Sequence, residues 1–325
     1  MAYAQAQFDS FHKTILYGYD SSEELRKRRD TLLEDLKEHI DPEAPPYETF
    51  YQGSYELDTG VHPIDGNPDM DIGVLFDCTP KDYPDPLTLK KYVRNALDRM
   101  NRTLNIKRPC VTVTYMRDGD PLHHIDLAVY CKTDAGVTQL AWCRETTACD
   151  EREWRESEAR ELSSTIKGRF EGKNKDQYRR CIRALKRWRD CHIGHKNTPS
   201  IGLTVAAYKW FEPDFDAMDG KYRDLSAIRR LVQSMLNNWG SRLYIYSPVA
   251  PYADMLERMT DTQMSDFKEK LIKLRDALVE VENQPDTHEA CKILRKQFGD
   301  DFPVPDKTET TKSTDSGVVS TGRSA

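Results

Sequence analysis

Two aspartates, Asp69 and Asp71, lead directly into an apolar run at residues 72–76. The run predicts a buried strand, on which residues i and i+2 point to one face with their Cα atoms about 6.5–7 Å apart. Carboxylates at that spacing can bind a pair of divalent ions about 3.5–4 Å apart, the arrangement used for in-line phosphoryl transfer. Magnesium suits such a site, because it is a hard ion that favours carboxylates and substrate phosphates. An isolated Asp-x-Asp is more often a solvated strand end, so this pair needs further support.

Two further features supply that support. Gly53 and Ser54 precede the acids: the glycine lets the backbone approach a triphosphate closely, and the serine offers an N–H and a hydroxyl to its oxygens. Downstream, Asp126 stands between apolar neighbours, and a buried aspartate must be paired or bound to a metal. The other interpretation of Asp126 is a strand-end residue that accepts backbone hydrogen bonds. The order and spacing of these residues together favour a catalytic metal site.

This order of motifs resembles the polymerase-β-type nucleotidyltransferase superfamily, with a Gly-Ser, an acid-x-acid followed by apolar residues, and a later apolar-Asp-apolar. Within it, the context of residues 52–61 is similar to the bacterial cGAS/DncV-like nucleotidyltransferases (CD-NTases), which make cyclic oligonucleotide signals in anti-phage defence. The resemblance implies an α+β fold, in which a polymerase-β-like core with a mixed sheet is joined to a C-terminal helical lobe around a central cleft. It also implies three parts: a core with an N-terminal spine helix at 1–160, the helical lobe at 161–306, and a flexible tail at 307–325.

The resemblance implies the chemistry as well. Asp69 and Asp71 would hold two Mg²⁺ ions, which Mn²⁺ can replace, and one ion would bridge the donor triphosphate. Asp126 would complete the site at the other ion and ease the deprotonation of the acceptor 3′-hydroxyl, while Gln52 and the Gly-Ser turn would bind the nucleotide. NTP substrates would be joined into a cyclic di- or trinucleotide with release of pyrophosphate, and the product would act on a downstream effector.

Two other functions remain compatible with the sequence. The same chemistry could move a nucleotidyl group onto an antibiotic, a protein or a tRNA end, because motifs do not reveal the shape of the acceptor pocket. The third interpretation is a catalytically inactive binding protein, which would be expected to lose at least one of the three acids, whereas this chain keeps them all. The large helical second half and the closing motif at residues 298–303, Phe-Gly-Asp-Asp-Phe-Pro, favour the cyclic nucleotide subfamily.

A basic segment at residues 167–196 contains eleven Lys or Arg residues and three acids, and its apolar residues fall on one helical face. The simpler interpretation is a solvated basic face. The alternative is that one or two of its cations neutralise a triphosphate. The resemblance assigns that contact to Lys186, and a phosphate contact to Ser200, where a helix start would favour an anion. Tyr244 or Tyr246 could stack on a base, although core packing is an equal alternative for both residues.

Composition limits the remaining function classes. The formal net charge is −6, and nucleic-acid-binding domains usually carry a basic patch, so we expect no stable DNA binding. No apolar run approaches the roughly 20 residues that span a bilayer, and the N-terminus lacks a signal-peptide core, so we expect a cytoplasmic protein without a membrane partner. The eight cysteines contain no Cys-x-x-Cys pair and are predicted to be reduced thiols. Zinc bound by Cys181, Cys191, His192 and His195 is an alternative, but their spacing fits no standard zinc finger.

Residues from 307 onward are rich in Thr, Ser, Lys, Asp and Gly, which predicts a disordered tail. In some relatives the C-terminus is ligated to targets by a ubiquitin-transfer-like partner, and the end at residues 321–325 would be accessible for that reaction. The hydrophobic pattern predicts helices at 21–40, 86–103, 226–237 and 261–282, and strands before Gly53 and at 69–76, 110–116 and 125–131.

Overall fold

The computed structural model describes residues 4–18, 23–64, 69–100, 102–117, 120–194 and 197–307. The first half of the chain contains α1 (Gln5–Ile15), α2 (Glu23–His39), β1 (Tyr47–Gln52), α3 (Gly53–Glu56), β2 (Asp69–Phe76), α4 (Leu87–Leu97), β3 (Arg102–Ile106), β4 (Val111–Arg117), β5 (Asp120–Lys132), β6 (Thr138–Trp142) and β7 (Glu153–Glu156). The second half contains α5 (Ala159–Lys167), α6 (Gly172–His192), α7 (Ser200–Trp210), the short strands β8 (Phe215–Asp216) and β9 (Lys221–Tyr222), α8 (Asp224–Asn237), α9 (Asp261–Asn283) and α10 (Thr287–Phe298).

Strands β1 to β7 form one mixed sheet. Its main path is β1-β2-β5-β4-β3, while β6 pairs with the C-terminal part of β5, and β7 pairs with β6. β2 and β5 run parallel, whereas the other pairs of this sheet are antiparallel. Parallel strands are usually covered on both faces, and β2 is accordingly buried at every position from Ile72 to Phe76.

Helices α2 and α4 cover one face of the sheet. Leu25, Leu32 and Leu36 of α2 are fully buried in the same cluster as Ile72 and Val74 of β2. Because strand residues alternate between faces, the residues between these apolar positions point to the opposite face. The apolar core on the α2–α4 face therefore fixes which side chains of β2, β4 and β5 point the other way.

The helical lobe is built around α6. Its apolar residues Tyr178, Cys181, Ile182, Leu185 and Trp188 are buried in a second cluster with residues of α7, α8, α9 and α10, as the helical spacing predicts. All eight cysteines of the chain are free thiols. In the ranges that the structure describes, no helix is both long and apolar enough to cross a membrane.

Helix α1 packs into this helical lobe, although it comes from the first residues of the chain. Phe8 and Phe11 contact the closing motif, with ring centroids 5.0 Å apart for Phe8 and Phe302 and 5.3 Å apart for Phe11 and Phe298. Gly299 separates the two motif phenylalanines with a φ of +79°, a backbone conformation that favours glycine. The predicted domain boundary near residue 160 remains a prediction. Helix α1 precedes this boundary in sequence but packs against helices that follow it.

Most of the predicted elements agree with the structure. The helix predicted at 86–103 is too long: it ends at Leu97, Asp98 adopts an extended conformation, and Arg102–Ile106 form β3 against β4. The prediction also lacks α1, α3, β6 and β7, and in the second half it lacks α5, β8 and β9. The tail from residue 308 lies outside the described residues. The mixed sheet with a helical second half agrees with the predicted α+β fold.

Candidate active site

A row of polar side chains crosses the sheet on the face away from α2 and α4. Gln52 of β1 pairs with Asp71 of β2, and Asp71 pairs in turn with Asp126 of β5. Thr112 of β4 pairs with Asp126 on its other side. Side chains of directly paired residues lie on the same face as close neighbours. We call this set, Gln52, Asp71, Asp126 and Thr112, the catalytic row, after the role that the sequence analysis predicts for its acids.

Asp69 lies two residues before Asp71 on β2 and so points to the same face. Asp69 is exposed, whereas Asp71 and Asp126 are half-buried. The structure thus brings the three predicted acids to one face of two adjacent strands, as the sequence analysis requires.

The electrostatics of this face favour a bound cation. Burial, together with the nearby charges of Asp126 and Asp69, raises the pKa of Asp71 to about 7, against an opposing effect of Lys186. A carboxylate whose ionisation is disfavoured by burial and by like charges is stabilised in its charged form by a nearby cation. The acids therefore attract positive charge at neutral pH.

The donor set fits magnesium. In the described ranges, no three His, Cys, Asp or Glu side chains are grouped closely enough to hold a metal ion on their own. That is compatible with Mg²⁺, which is usually bound by one or two carboxylates together with substrate phosphates and water. Asp69, Asp71 and Asp126 supply hard oxygen atoms of the required kind. Among the residues of the alternative zinc site, Cys181 is buried and Cys191 is exposed, while His195 lies outside the described residues.

Gly53 packs directly on one of these acids. It has a φ of +65°, and an added Cβ would lie 3.1 Å from Cγ of Asp71 and closer still to its Oδ2. Glycine is therefore needed at this position for two reasons: the left-handed backbone conformation, and the space that the Asp71 carboxylate occupies. Ser54 follows it in the short helix α3. The predicted Gly-Ser turn is thus in contact with the catalytic row.

Thr112 is a site residue that the motifs do not identify. Its Oγ1 donates a hydrogen bond of 2.5 Å to Oδ1 of Asp126, and the Sγ of Cys110 lies 3.6 Å from the same hydroxyl. A hydrogen bond to a carboxylate is short and about twice as strong as a neutral one. Thr112 therefore fixes the orientation of Asp126. The available signal is a polar residue between Val111 and Val113, which are fully buried, but the sequence does not name its partner.

Gln52 is held at the other end of the row. Its Oε1 accepts a hydrogen bond of 3.0 Å from the hydroxyl of Tyr130, which is buried on β5. Tyr130 lies four residues after Asp126 and points to the same face. Within the described residues the side-chain N–H₂ of Gln52 has no hydrogen-bonding partner, so it is available as a donor beside Asp71.

Lys186 of α6 reaches the loop that follows α3. Its Nζ donates hydrogen bonds of 3.0 Å to both the carbonyl oxygen and the hydroxyl of Thr59. Burial, with added repulsion from Arg189 and Arg183, lowers the pKa of Lys186 to about 7. The amine is close enough to Asp71 for the two charges to affect each other. Its predicted triphosphate contact is untested, and in this structure it holds the loop.

Other cations of α6 bind the same loop. Arg183 donates to the carbonyl oxygen of Asp58 at 2.8 Å, Arg179 forms an ion pair with the Asp58 carboxylate, and Arg187 donates to the carbonyl oxygen of His62. Asp58 has a φ of +52°. The solvated basic face suggested by the sequence is therefore wrong for this part of α6, whose cations are used to hold the loop behind the Gly-Ser turn.

Ser200 and Tyr246 are the two remaining residues of the predicted nucleotide site. Ser200 is the first residue of α7, where its carbonyl oxygen accepts a hydrogen bond from Thr204. Tyr246 is about half exposed and stacks on Tyr244, with ring centroids 5.9 Å apart and an interplanar angle of 3°. Within the described residues, neither Ser200 nor Tyr246 forms a hydrogen bond with an acid of the site. Their predicted nucleotide contacts remain predictions.

The comparison with protein families covers this site. Residues 47–130 match the model for "Cyclic GMP-AMP synthase DncV-like, nucleotidyltransferase domain", and this interval contains the whole catalytic row. These residues are therefore similar to the nucleotidyltransferase domain of the DncV-like family. The predicted recognition as a bacterial cGAS/DncV-like nucleotidyltransferase is confirmed, and so is the prediction of nucleotidyltransferase activity.

Solved structures show that the DncV-like nucleotidyltransferase domain and the helical lobe together form a known fold. The Bradyrhizobium diazoefficiens CD-NTase CdnG, solved with GTP, matches with a TM-score of 0.69 at 15% identity, covering 94% of this chain and 98% of that chain. The Vibrio cholerae DncV cyclic AMP-GMP synthase matches with a TM-score of 0.63 at 16% identity, covering 94% and 88%. Escherichia coli DncV, solved with 3′-deoxy GTP, matches with a TM-score of 0.61 at 14% identity, covering 93% and 87%. The predicted α+β fold with a helical lobe is confirmed.

Proposed function

We propose that this protein joins NTPs into a cyclic di- or trinucleotide. The observation that carries the proposal is the catalytic row, in which Asp71 and Asp126 are paired in register with Gly53 packed against Asp71. The family match and the shared fold support it, because CdnG was solved with GTP and V. cholerae DncV is described as a cyclic AMP-GMP synthase. A further V. cholerae DncV structure contains the linear intermediate 5′ pppA(3′,5′)pG.

Asp69, Asp71 and Asp126 would hold the divalent metal, since nucleotidyltransferases of this family use such ions. We propose two Mg²⁺ ions, replaceable by Mn²⁺, which would neutralise the phosphate charge and favour the ionised 3′-hydroxyl. The protein contributes mainly positioning and charge complementarity, as is usual in phosphoryl transfer. Thr112 keeps the Asp126 carboxylate in place through its hydrogen bond, and Gly53 leaves the space that Asp71 needs.

In the reaction, the 3′-oxygen of one nucleotide forms a bond to the α-phosphorus of another, and the bond from that phosphorus to pyrophosphate breaks. The proton of the 3′-hydroxyl passes to the carboxylate of Asp126 or to a water molecule that this carboxylate positions. The backbone of Gly53 and the N–H and hydroxyl of Ser54 would hold the phosphates, with Gln52 donating from its amide. A second transfer between the ends of the linear product closes the ring.

Three residues outside the row complete the proposed binding site. Lys186 would exchange part of its contact with Thr59 for an oxygen of the triphosphate, which couples substrate binding to the loop behind the Gly-Ser turn. Ser200 would contact a phosphate at the start of α7, and Tyr246 would stack on a base.

We propose that the product is a defence signal against phage that acts on a downstream effector. We also propose that the C-terminal end can be conjugated by a ubiquitin-transfer-like partner. Intact-mass analysis of the protein from its native host, before and during infection, tests the conjugation. An unmodified chain in both samples would contradict it.

The test of the activity is to incubate the purified protein with Mg²⁺ or Mn²⁺ and with the four NTPs together, singly and in pairs. Phosphatase treatment and mass spectrometry then identify the products. The proposal predicts a phosphatase-resistant cyclic product that disappears in the Asp71→Asn variant. A product that stays linear, or transfer of a nucleotidyl group only to an added antibiotic, protein or tRNA, would refute cyclic nucleotide synthesis.

A further inference from the structure

A second row of residues lies beside the catalytic row. His124 of β5 pairs with Asp69 of β2 on one side and with Thr114 of β4 on the other. It lies two residues before Asp126, so the two side chains point to the same face. His124 is thus a neighbour of Asp69 across the strands and of Asp126 along its own strand. None of the roles proposed above uses it.

The imidazole ring of His124 is held from one side. Its Nδ1 lies 3.0 Å from Oγ1 of Thr114, which is buried, while His124 itself is half-buried. When the hydroxyl donates to Nδ1, the neutral ring carries its hydrogen on Nε2. Within the described residues, Nε2 has no hydrogen-bonding partner in the protein. In that tautomer the ring is fixed at Nδ1 and has a donor left at Nε2.

We propose that His124 binds the substrate, donating a hydrogen bond from Nε2 to an oxygen of the nucleotide beside Asp69, and that Thr114 positions the ring. The inference rests on the proposed function, because it takes the acids as the place where a nucleotide is bound. A nucleotide presents phosphate and sugar oxygens there, and both can accept from an imidazole N–H.

The surroundings explain why a donor is useful at this position. The face carries three carboxylates, which can only accept hydrogen bonds when they are ionised. Lys186, the cation that the electrostatics place near Asp71, is engaged with Thr59. His124 supplies a preoriented N–H donor on the same face of the sheet.

The experiment measures equilibrium binding of an NTP, the matching 2′,3′-dideoxy-NTP and the nucleoside to the full chain, with Mg²⁺ present. His124→Leu should weaken NTP binding by about tenfold or more, the usual effect of losing a hydrogen bond to a charged group. His124→Gln keeps a side-chain N–H donor and should recover most of the affinity. A loss for both triphosphates but not for the nucleoside identifies a phosphate oxygen, and a loss for the NTP and the nucleoside but not for the dideoxy form identifies a sugar oxygen.

Thr114→Val should give a smaller loss of affinity, since the ring keeps Nε2 but is no longer held. Its matched control is Thr103→Val, because Thr103 is the exposed partner of Thr114 on β3. The control should bind like the wild type. Thermal unfolding of each variant separates loss of binding from loss of fold.

The inference is overturned if folded His124→Leu protein binds all three ligands like the wild type, or if His124→Gln is as impaired as His124→Leu. These outcomes are independent of product formation. If the wild type binds NTP but makes no cyclic product, the proposed function fails, and the binding comparison still decides the role of His124.

Discussion

Replacing Gly53 by alanine tests whether the Gly-Ser turn determines the position of Asp71. The φ of Gly53 is +65°, and a new Cβ would lie 3.1 Å from Cγ of Asp71 and 3.3 Å from its Cβ. Alanine in the left-handed region costs roughly 1–2 kcal/mol, and the carboxylate must also move away. A displacement of about 1 Å in a catalytic geometry can cost about 100-fold in rate. We therefore expect Gly53→Ala to lower kcat/KM by about 100-fold.

The matched control is Gly136→Ala. Gly136 also has a positive φ, +81°, but an added Cβ there would have nothing within 4 Å. The left-handed backbone should cost both variants about 1–2 kcal/mol of unfolding free energy, which lowers Tm by a few degrees in a chain of this size. Gly53→Ala should lose more than Gly136→Ala, because the Asp71 carboxylate must also move. The assay follows pyrophosphate release and cyclic product alongside thermal unfolding. Wild-type kcat/KM in Gly53→Ala, or an equal loss of activity in Gly136→Ala, would refute the role of the contact with Asp71.

Three further predictions concern the row and the helical core. Asp71→Asn should abolish product formation. Burial and the neighbouring carboxylates raise the pKa of Asp71 to about 7, from 3.8, so the wild type without divalent metal should lose stability as pH rises from 4 to 8. Thermal unfolding should show a smaller loss in the variant. Thr112→Val should lower kcat/KM by about 10- to 100-fold while Thr112→Ser keeps most of it, since only the valine removes the hydrogen bond to the carboxylate. Burial lowers the pKa of His12 from 6.5, so the unfolded state binds the proton more tightly and the free energy of unfolding should fall as pH drops below 6.5. Urea unfolding should show that this pH-dependent loss of stability is absent in His12→Gln.

His12 belongs to a buried network that no motif predicts. It lies 3.1 Å from Asp224, which also accepts hydrogen bonds from Arg180 and Gln177. Burial alone would raise the pKa of Asp224, but the hydrogen bonds from His12 and Arg180 outweigh it and lower the pKa. The network joins α1 to α6 and α8. His12 and Asp224 are 212 positions apart in sequence, so local patterns cannot reveal their contact.

The sequence predicts the strands and helices whose apolar residues form a continuous run or recur at helical spacing. β2 and α9 are close to their predicted bounds, because their apolar residues are continuous or helically spaced. The error at 98–103 has a physical cause: residues 102–106 become a strand only because β4 supplies the hydrogen-bonding partner. α1 was missed for a similar reason, since its phenylalanines are buried by α10 and the closing motif rather than by neighbours in sequence.

The same distinction applies to the candidate site. The three acids and Gly53 could be predicted because their spacing and residue types have a chemical meaning on one strand and one turn. Thr112 and His124 could not, because a threonine or histidine on a strand acquires its role from the partner that the register places beside it. Lys186 is intermediate: its position on α6 follows from the helical pattern, but its contact with Thr59 depends on how the two halves of the chain pack.

The apolar core on one face of the sheet fixes the direction of the polar side chains on the other face. On β4, Val111 and Val113 are fully buried against the α2–α4 layer, so Thr112 and Thr114 must both point to the acid-bearing face. A slip of one residue would bring Val113 beside Asp126 and turn both hydroxyls into the apolar core, where they would lack partners. The register shift between Tyr115 and Met116 confines the irregularity to the end of the ladder, beyond both threonines. Hydrophobic patterning on one side of the sheet therefore determines the hydrogen bond that the Asp126 carboxylate accepts on the other.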